Sequence, residues 1–205
     1  GILNIASSKT IGDFITPHIV FDFLIQHEHV NIHKDIQNSA QIIHMLKNGL
    51  IDMGFIESSC DEIDLIKEPI GNDELIVVSS DACLGEGDFF IDELFHKKWI
   101  LREKGSGTRE IFLDALGDIA KELNIFMEFS EFEEAKTILL NNPQTITCLS
   151  RVAVESELKR KELFEVKLIN LKIDRTFYLV YHKNKYHTKL FSLFKAFVHT
   201  KIKPI

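Results

Sequence analysis

The chain has 205 residues, with 24 Lys and Arg against 31 Asp and Glu, and a formal net charge of −7. Its 45% hydrophobic and 27% charged content is that of a soluble globular protein with enough material for one large core or two small ones. The acidic balance disfavours DNA contact by this chain: the basic runs Lys97-Lys98 and Lys159-Arg160-Lys161 are too short to make a nucleic-acid stripe. There is no apolar run of the ~18 residues a membrane span needs, and no basic segment followed by an apolar one as in a secretory signal. Cys60, Cys83 and Cys148 have no CxxC spacing, and an odd cysteine count without a signal suits a reducing cytoplasm. Cys148, inside an apolar run, reads as a buried small hydrophobe. The chain opens on Gly1 rather than Met, as a cloning remnant or the start of an excised domain would.

Strand and helix signals alternate from the start. Residues 2–6 read as a strand, and the apolar spacing of Ile11, Phe14, Ile15, Ile19 and Phe23 predicts one helix from Thr10 to about Gln26, with Pro17 tolerated in its first turns. A strand over 30–36 precedes a helix over 39–47 that stops at Gly49. Met53 to Ile56 is a short buried strand. Leu65–Ile70 and Glu74–Ser79 read as two extended runs split by a turn at Gly71-Asn72-Asp73. Beyond residue 80 come a short helix at 90–95, a strand at 98–102 and a turn at Gly105-Ser106-Gly107. Thr108 to Leu123 then reads as a long amphipathic helix with Ile111, Phe112, Ala115, Leu116, Ile119 and Leu123 on one side. Strands at 125–129, 145–149, 163–168 and 175–181 alternate with helices at 131–141, 151–159 and 187–199.

This alternation implies an α/β fold with parallel sheets and right-handed crossovers. Residues 1–79 plus 176–205 form a first lobe and 80–175 a second. The candidate crossings are Ser79–Asp81 and the run near Asp174–Arg175.

In open α/β sheets ligands bind at the carboxyl ends of strands, beside helix N-termini. Four such ends carry small polar residues: Ser7-Ser8-Lys9-Thr10, Asn38 with Gln41, Gly105-Ser106-Gly107-Thr108-Arg109, and Ser150. Each also serves as an ordinary helix cap. The Gly-Ser-Gly-Thr-Arg turn is the most informative. Its glycines allow close backbone approach, its N–H groups and helix end favour an anion, and Arg102 or Arg109 adds charge. It lacks the ending of a Walker A loop. Arg109 also has Glu103 and Glu110 within sequence reach as ion-pair partners. His27, His29 and His33 straddle a helix end and a strand; an exposed turn explains them better than a metal, and neither metal nor cofactor is expected.

With the segments in order, the chain resembles the effector-binding domain of LysR-type transcriptional regulators. The resemblance rests on Leu3 to Gly12, on Asn38 through Leu46-Lys47-Asn48-Gly49-Leu50-Ile51-Asp52 to Glu57, on Trp99 to Arg109, and on Ser150 to Leu158 with Leu163 and Val166. It implies the type-2 periplasmic-binding-protein fold: two Rossmann-like lobes joined by two crossing strands, with a cleft between. By resemblance, ligand contacts map to Ser7, Ser8, Thr10, Asn38, Ile56 and Glu57 in the first lobe. In the second they map to Arg102, Ser106, Gly107 and Thr108.

The Arg-Glu-x-Gly-Ser-Gly-Thr-Arg turn is similar to that of regulators of sulfur assimilation and carbon fixation, which implies a small anion or organic acid as effector. Asn141-Asn142-Pro143-Gln144 and Thr147-Cys148-Leu149 depart from the family's usual residues and leave one wall of the pocket open. The family's winged helix-turn-helix lies outside this sequence, so DNA would be reached only through it, and no membrane partner is implied. Isolated effector domains of the family pair head to tail as homodimers, with tetramers in the full-length proteins. The partner surface would be the helix near 13–26 and the strand 30–36 of one chain against the helix near 108–123 of another. Two other readings share the fold: an extracytoplasmic solute-binding protein, and an enzyme such as the short form of ATP phosphoribosyltransferase. The enzyme would need a nucleophile–base pair that the sequence does not display.

Overall fold

The computed structural model describes residues 1–57 and 60–202. The chain divides into two compact units, the first made of Gly1–Asn72 and the chain from Thr176 on, the second of Asp73–Arg175.

The first unit begins with β1 (Ile2–Ser7), which lies between β2 (Asn31–Ile36) and β3 (Met53–Ile56) with all three parallel. β10 (Ile173–His182) runs antiparallel beside β3, followed in the sheet by β4 (Leu65–Ser79). Side chains alternate across this sheet, as a period of two demands. Leu3, Ile5, Phe177, Leu179 and Tyr181 join one core with Ile19, Val20 and Phe23 of α2 (Thr16–Gln26) and Phe191, Phe194 and Val198 of α7 (Lys189–Lys201). Ala6, Ile56 and Val180 face the other way, into a smaller core with Ile42 and Leu46 of α3 (Ser39–Lys47).

The single helix expected from Thr10 to Gln26 is instead two. α1 (Lys9–Phe14) ends where Pro17 removes the N–H that would bond back to the turn before it, and α2 starts afresh with Pro17 in its first turn. Thr16 Oγ1 donates to the carbonyl of Ile11 (3.3 Å), which also accepts from the Ile15 N–H (2.9 Å), so the two hydrogen bonds close the end of α1. α3 ends as its sequence promised, with Gly49 at φ +67°.

The turn expected at Gly71-Asn72-Asp73 does not form: β4 is one strand of 15 residues. Gly71 serves packing there, because a Cβ would come within 2.6 Å of the Ile202 side chain. The passage between units therefore falls inside β4, after Asn72, rather than after the strand. The reason is pairing: Leu75–Val78 lie antiparallel to β8 (Thr145–Ser150) and Val77–Ser79 to β9 (Phe164–Leu168), both strands of the second unit. The return passage falls inside β10, after Arg175.

In the second unit β6 (Lys98–Arg102) lies between β7 (Ile125–Phe129) and β8, with all three parallel, and a two-residue strand, β5 (Asp88–Phe89), pairs with β9. Trp99 stacks on Phe112 of α4 (Gly107–Leu116) at 5.4 Å and donates its indole N–H to Leu94, so this large ring is both packed and satisfied. Leu75, Leu101, Leu116, Ile146 and Val166 complete that core. On the opposite face Ile100, Phe129 and Leu149 are buried along with residues of α5 (Phe132–Asn141) and α6 (Arg151–Lys159). The helix expected to run from Thr108 to Leu123 stops at Leu116. Gly117 turns left-handed (φ +60°), the chain continues as a tighter 3-10 turn over Gly117–Glu122, and Ile119 is 43% exposed instead of facing the core.

Candidate functional site

The parallel strands of the first unit end together. Ser7 is level with Ile36 in β2 and with Phe55 in β3, so Ser7 and Ser8, the start of α3, and the Ile56–Glu57 segment share one sheet edge. The Ser8 N–H donates to Phe55 (2.8 Å) and the Gln37 N–H to Ser7 (3.0 Å), stitching the three segments. Ser7, Ser8, Thr10, Ile56 and Glu57 are all buried.

Their polar atoms are spent differently. Ser7 Oγ donates to Thr16 (3.4 Å). Asn38 makes a full capping box with Gln41: its side chain accepts from the Gln41 N–H (3.0 Å) while the Gln41 side chain accepts from the Asn38 N–H (3.3 Å). Ser8 Oγ and Ser39 Oγ, both buried, have no hydrogen-bond partner among the described residues. Natural interiors leave few such groups.

In the second unit the expected contacts gather around the turn between β6 and α4. Gly105 takes φ +90°, which lets the chain reverse. Ser106 caps α4, accepting from the Arg109 N–H (3.4 Å), and its own hydroxyl proton remains available to donate. A helix start leaves the N–H groups of Gly107 and Thr108 without intrahelical acceptors, at the positive end of the helix. Arg102, 2% exposed, donates through Nε (3.0 Å) and Nη2 (2.8 Å) to Glu103, and lies over the Phe132 ring. Its Nη1 is buried with no hydrogen-bond partner among the described residues. Arg109 pairs with neither Glu103 nor Glu110. It reaches Glu128 (3.0 Å) and the carbonyl of Arg102 (2.8 Å), which braces the turn from outside.

Two residues that the sequence reading took for turn and crossing prove central. Asp73 and Arg175, with side chains 1% exposed, form an ion pair (Nε to Oδ2, 2.7 Å). The other Asp73 oxygen accepts from Ser150 (2.8 Å), and Arg175 Nη1 donates to Thr108 Oγ1 (2.9 Å). Ser150, the fourth polar helix start, therefore points its hydroxyl at Asp73 instead of capping α6. Cys148 is buried beside the pair, and burial pushes its thiol well above the ordinary range, so it stays neutral. The signal for this network was in the alternation. Arg175 shares its phase with Ile173 and Phe177, and Asp73 with Gly71 and Leu75, so both face inward.

The trio His27, His29 and His33 is not a cluster: His33 contacts Asn4 (3.2 Å), and no group of three ligating residues occurs among the described residues.

A family model described as "LysR substrate binding domain" matches residues 1–203. The chain belongs to the LysR substrate-binding domain family. It is an effector-binding domain of a LysR-type regulator, with the mixed α/β fold of that family's regulatory domains, and the family is one of regulatory domains rather than enzymes. It is 31% identical over 91% of its length to the HTH-type transcriptional regulator YeiE of Escherichia coli, and it spans 64% of that protein. Among solved structures, the CcmR regulatory domain of Synechocystis in complex with 2-PG matches with a TM-score of 0.88 at 24% identity over 100% of both chains. The effector-binding domain of QuiR in complex with shikimate matches with a TM-score of 0.85 at 21% identity, covering 98% of this chain and 97% of that one.

Proposed function

We propose that this domain senses a small anionic effector, a phosphorylated or carboxylated metabolite or an inorganic oxyanion, inside the cytoplasm. Its two units would be the family's two lobes. The observation that carries this reading is the set of donors around the turn after β6. The N–H groups of Gly107 and Thr108 and the Ser106 hydroxyl stand at the N-terminus of α4, and Arg102, at the end of β6, keeps a buried Nη1 without a partner among the described residues while Glu103 takes its other two nitrogens. The relatives are in keeping with it, since CcmR binds 2-PG (2-phosphoglycolate) and QuiR binds shikimate, itself a carboxylate. On this reading the candidate effector contacts are Ser7, Ser8, Thr10, Asn38, Ile56 and Glu57 in the first unit, and Arg102, Ser106, Gly107 and Thr108 in the second. The effector shifts the domain toward one of its conformations. In the whole regulator that shift would reach DNA through a separate helix-turn-helix.

The test is calorimetric and thermal-shift titration with 2-phosphoglycolate, sulfate and phosphate, in the wild type and in Ser106→Ala and Thr108→Ala. Weakening of at least tenfold in each variant is expected. Unchanged affinity and an unchanged melting shift would overturn the assignment. A head-to-tail homodimer is part of the same reading. Phe21 and Ile25, one turn apart on α2, are exposed with Ile36 on the edge strand β2, and Ile119 is exposed beyond α4.

A further inference from the structure

The effector turn is wired to the two points at which the chain enters and leaves the second unit. Asp73 is the first residue of that unit and Arg175 the last. One lies in β4 and the other in β10, 102 positions apart in sequence, and their side chains meet at 2.7 Å in the interior. The same guanidinium donates to Thr108 on α4, and the same carboxylate accepts from Ser150 ahead of α6. Thus four elements converge on one buried ion pair.

Two of these bonds go against local convention. Ser150 stands at a helix N-cap yet makes no side-chain cap bond to α6, and Thr108, in the first turn of α4, has its hydroxyl oxygen engaged from a distant strand rather than from its own helix. Departures from local rules mark places where another constraint is being met.

We infer that the Asp73–Arg175 pair is a relay, making Arg175 a positioning residue that couples occupation of the effector turn to the strands β4 and β10. The physical basis is twofold. Arg175 Nη1 fills an acceptor position on Thr108 Oγ1, which leaves that hydroxyl to face an effector as a donor, the polarity an anion requires. A displacement of Thr108 by ~1 Å would stretch a 2.9 Å bond beyond hydrogen-bonding range unless the guanidinium followed. The guanidinium in turn is held by Asp73 in a water-excluded interior, where such networks are stiff. The strands therefore register what happens at the turn. This rests on the anionic reading above, because it takes the turn after β6 as the place where effector binds.

Hydrogen–deuterium exchange tests it directly, with 2-phosphoglycolate or inorganic phosphate as probe at concentrations that saturate each protein. In the wild type, exchange should slow at least tenfold at residues 103–109 and also at 73–76 and 173–176. In Arg175→Lys, which keeps a charge against Asp73 but shortens the reach to Thr108, and in Asp73→Asn/Arg175→Met, which removes the pair without stranding a charge, protection should persist at the turn and disappear from the two strand segments. Ser150→Ala, which leaves Asp73 bonded to Arg175, should retain most of it. Protection confined to the turn in the wild type, or strand protection that survives in both Arg175 variants, would overturn the relay and leave the anionic reading standing. Failure of both probes to bind the wild type would overturn the anionic reading and the relay with it.

Discussion

The two units present polar strand ends of the same kind and employ them differently. In the first unit the edge formed by β1, β3 and α3 is held by local devices. Asn38 and Gln41 cap one another, Ser7 bonds to Thr16, and the hydroxyls of Ser8 and Ser39 stay buried without partners among the described residues. In the second unit the turn after β6 is tied through Thr108 to an ion pair that also holds Ser150. The bonds described at the first edge are short-range, and those at the second form one network that joins distant strands. Groups held by short-range bonds can be altered singly at small cost, whereas a connected buried pair fails as a whole.

The largest expected effect comes from breaking that pair. Arg175→Ala or Asp73→Ala strands a buried charge, and unfolding in urea should register a loss of about 3–5 kcal/mol. A loss below about 1 kcal/mol in both variants would mean that the network is slack and the contrast between the units is false.

A second expectation concerns pH and the first unit. Glu68 in β4 is partly buried, which raises its pKa, but hydrogen bonds from Lys195, Tyr181 and His199 outweigh burial and bring it down to about 2. A carboxylate whose folded pKa lies below its unfolded one stabilises the fold above the unfolded value. Its contribution is therefore complete above pH 4.5 and is lost as pH falls toward 2. Glu68→Gln should flatten the acid limb of the melting temperature between those values; an unaltered limb would show that the cluster contributes nothing to acid stability.

Much of the fold was legible from periodicity, because most elements are amphipathic and bounded by ordinary signals. α3, with Asn38 ahead of it and Gly49 behind, is an example. The two misread helices share a cause. Apolar spacing continued past Phe14 and past Leu116, so one helix was expected in each place, but a single backbone constraint, Pro17 in one and left-handed Gly117 in the other, restarts the chain. Gly71-Asn72-Asp73 has turn composition, and sheet pairing with close packing overrode it. At the candidate site the hydroxyls and Arg102 could be found because strand ends are predictable. The ion pair could not be found the same way, since its partners are 102 residues apart and only the inward phase of Arg175 and Asp73 hinted at it.

Two smaller effects sharpen the contrast. Asn38→Ala removes a capping box and should cost about 1 kcal/mol in thermal unfolding; no measurable cost would mean that α3 is held by packing alone. Ser8→Ala deletes a buried hydroxyl that has no hydrogen-bond partner among the described residues, so stability should change by less than about 0.5 kcal/mol or rise, while effector affinity falls. A large loss of stability in Ser8→Ala would show that its hydroxyl is structural.

The most direct test of the central claim is a calorimetric titration of the wild-type domain and of Arg102→Met with 2-phosphoglycolate. Arg102 Nη1 is a buried donor without a hydrogen-bond partner among the described residues, beside the turn of the proposed anion site. The account predicts saturable one-to-one binding by the wild type and at least a hundredfold loss in Arg102→Met, with the variant still folded by its melting transition. Equal affinity in the two proteins would contradict it.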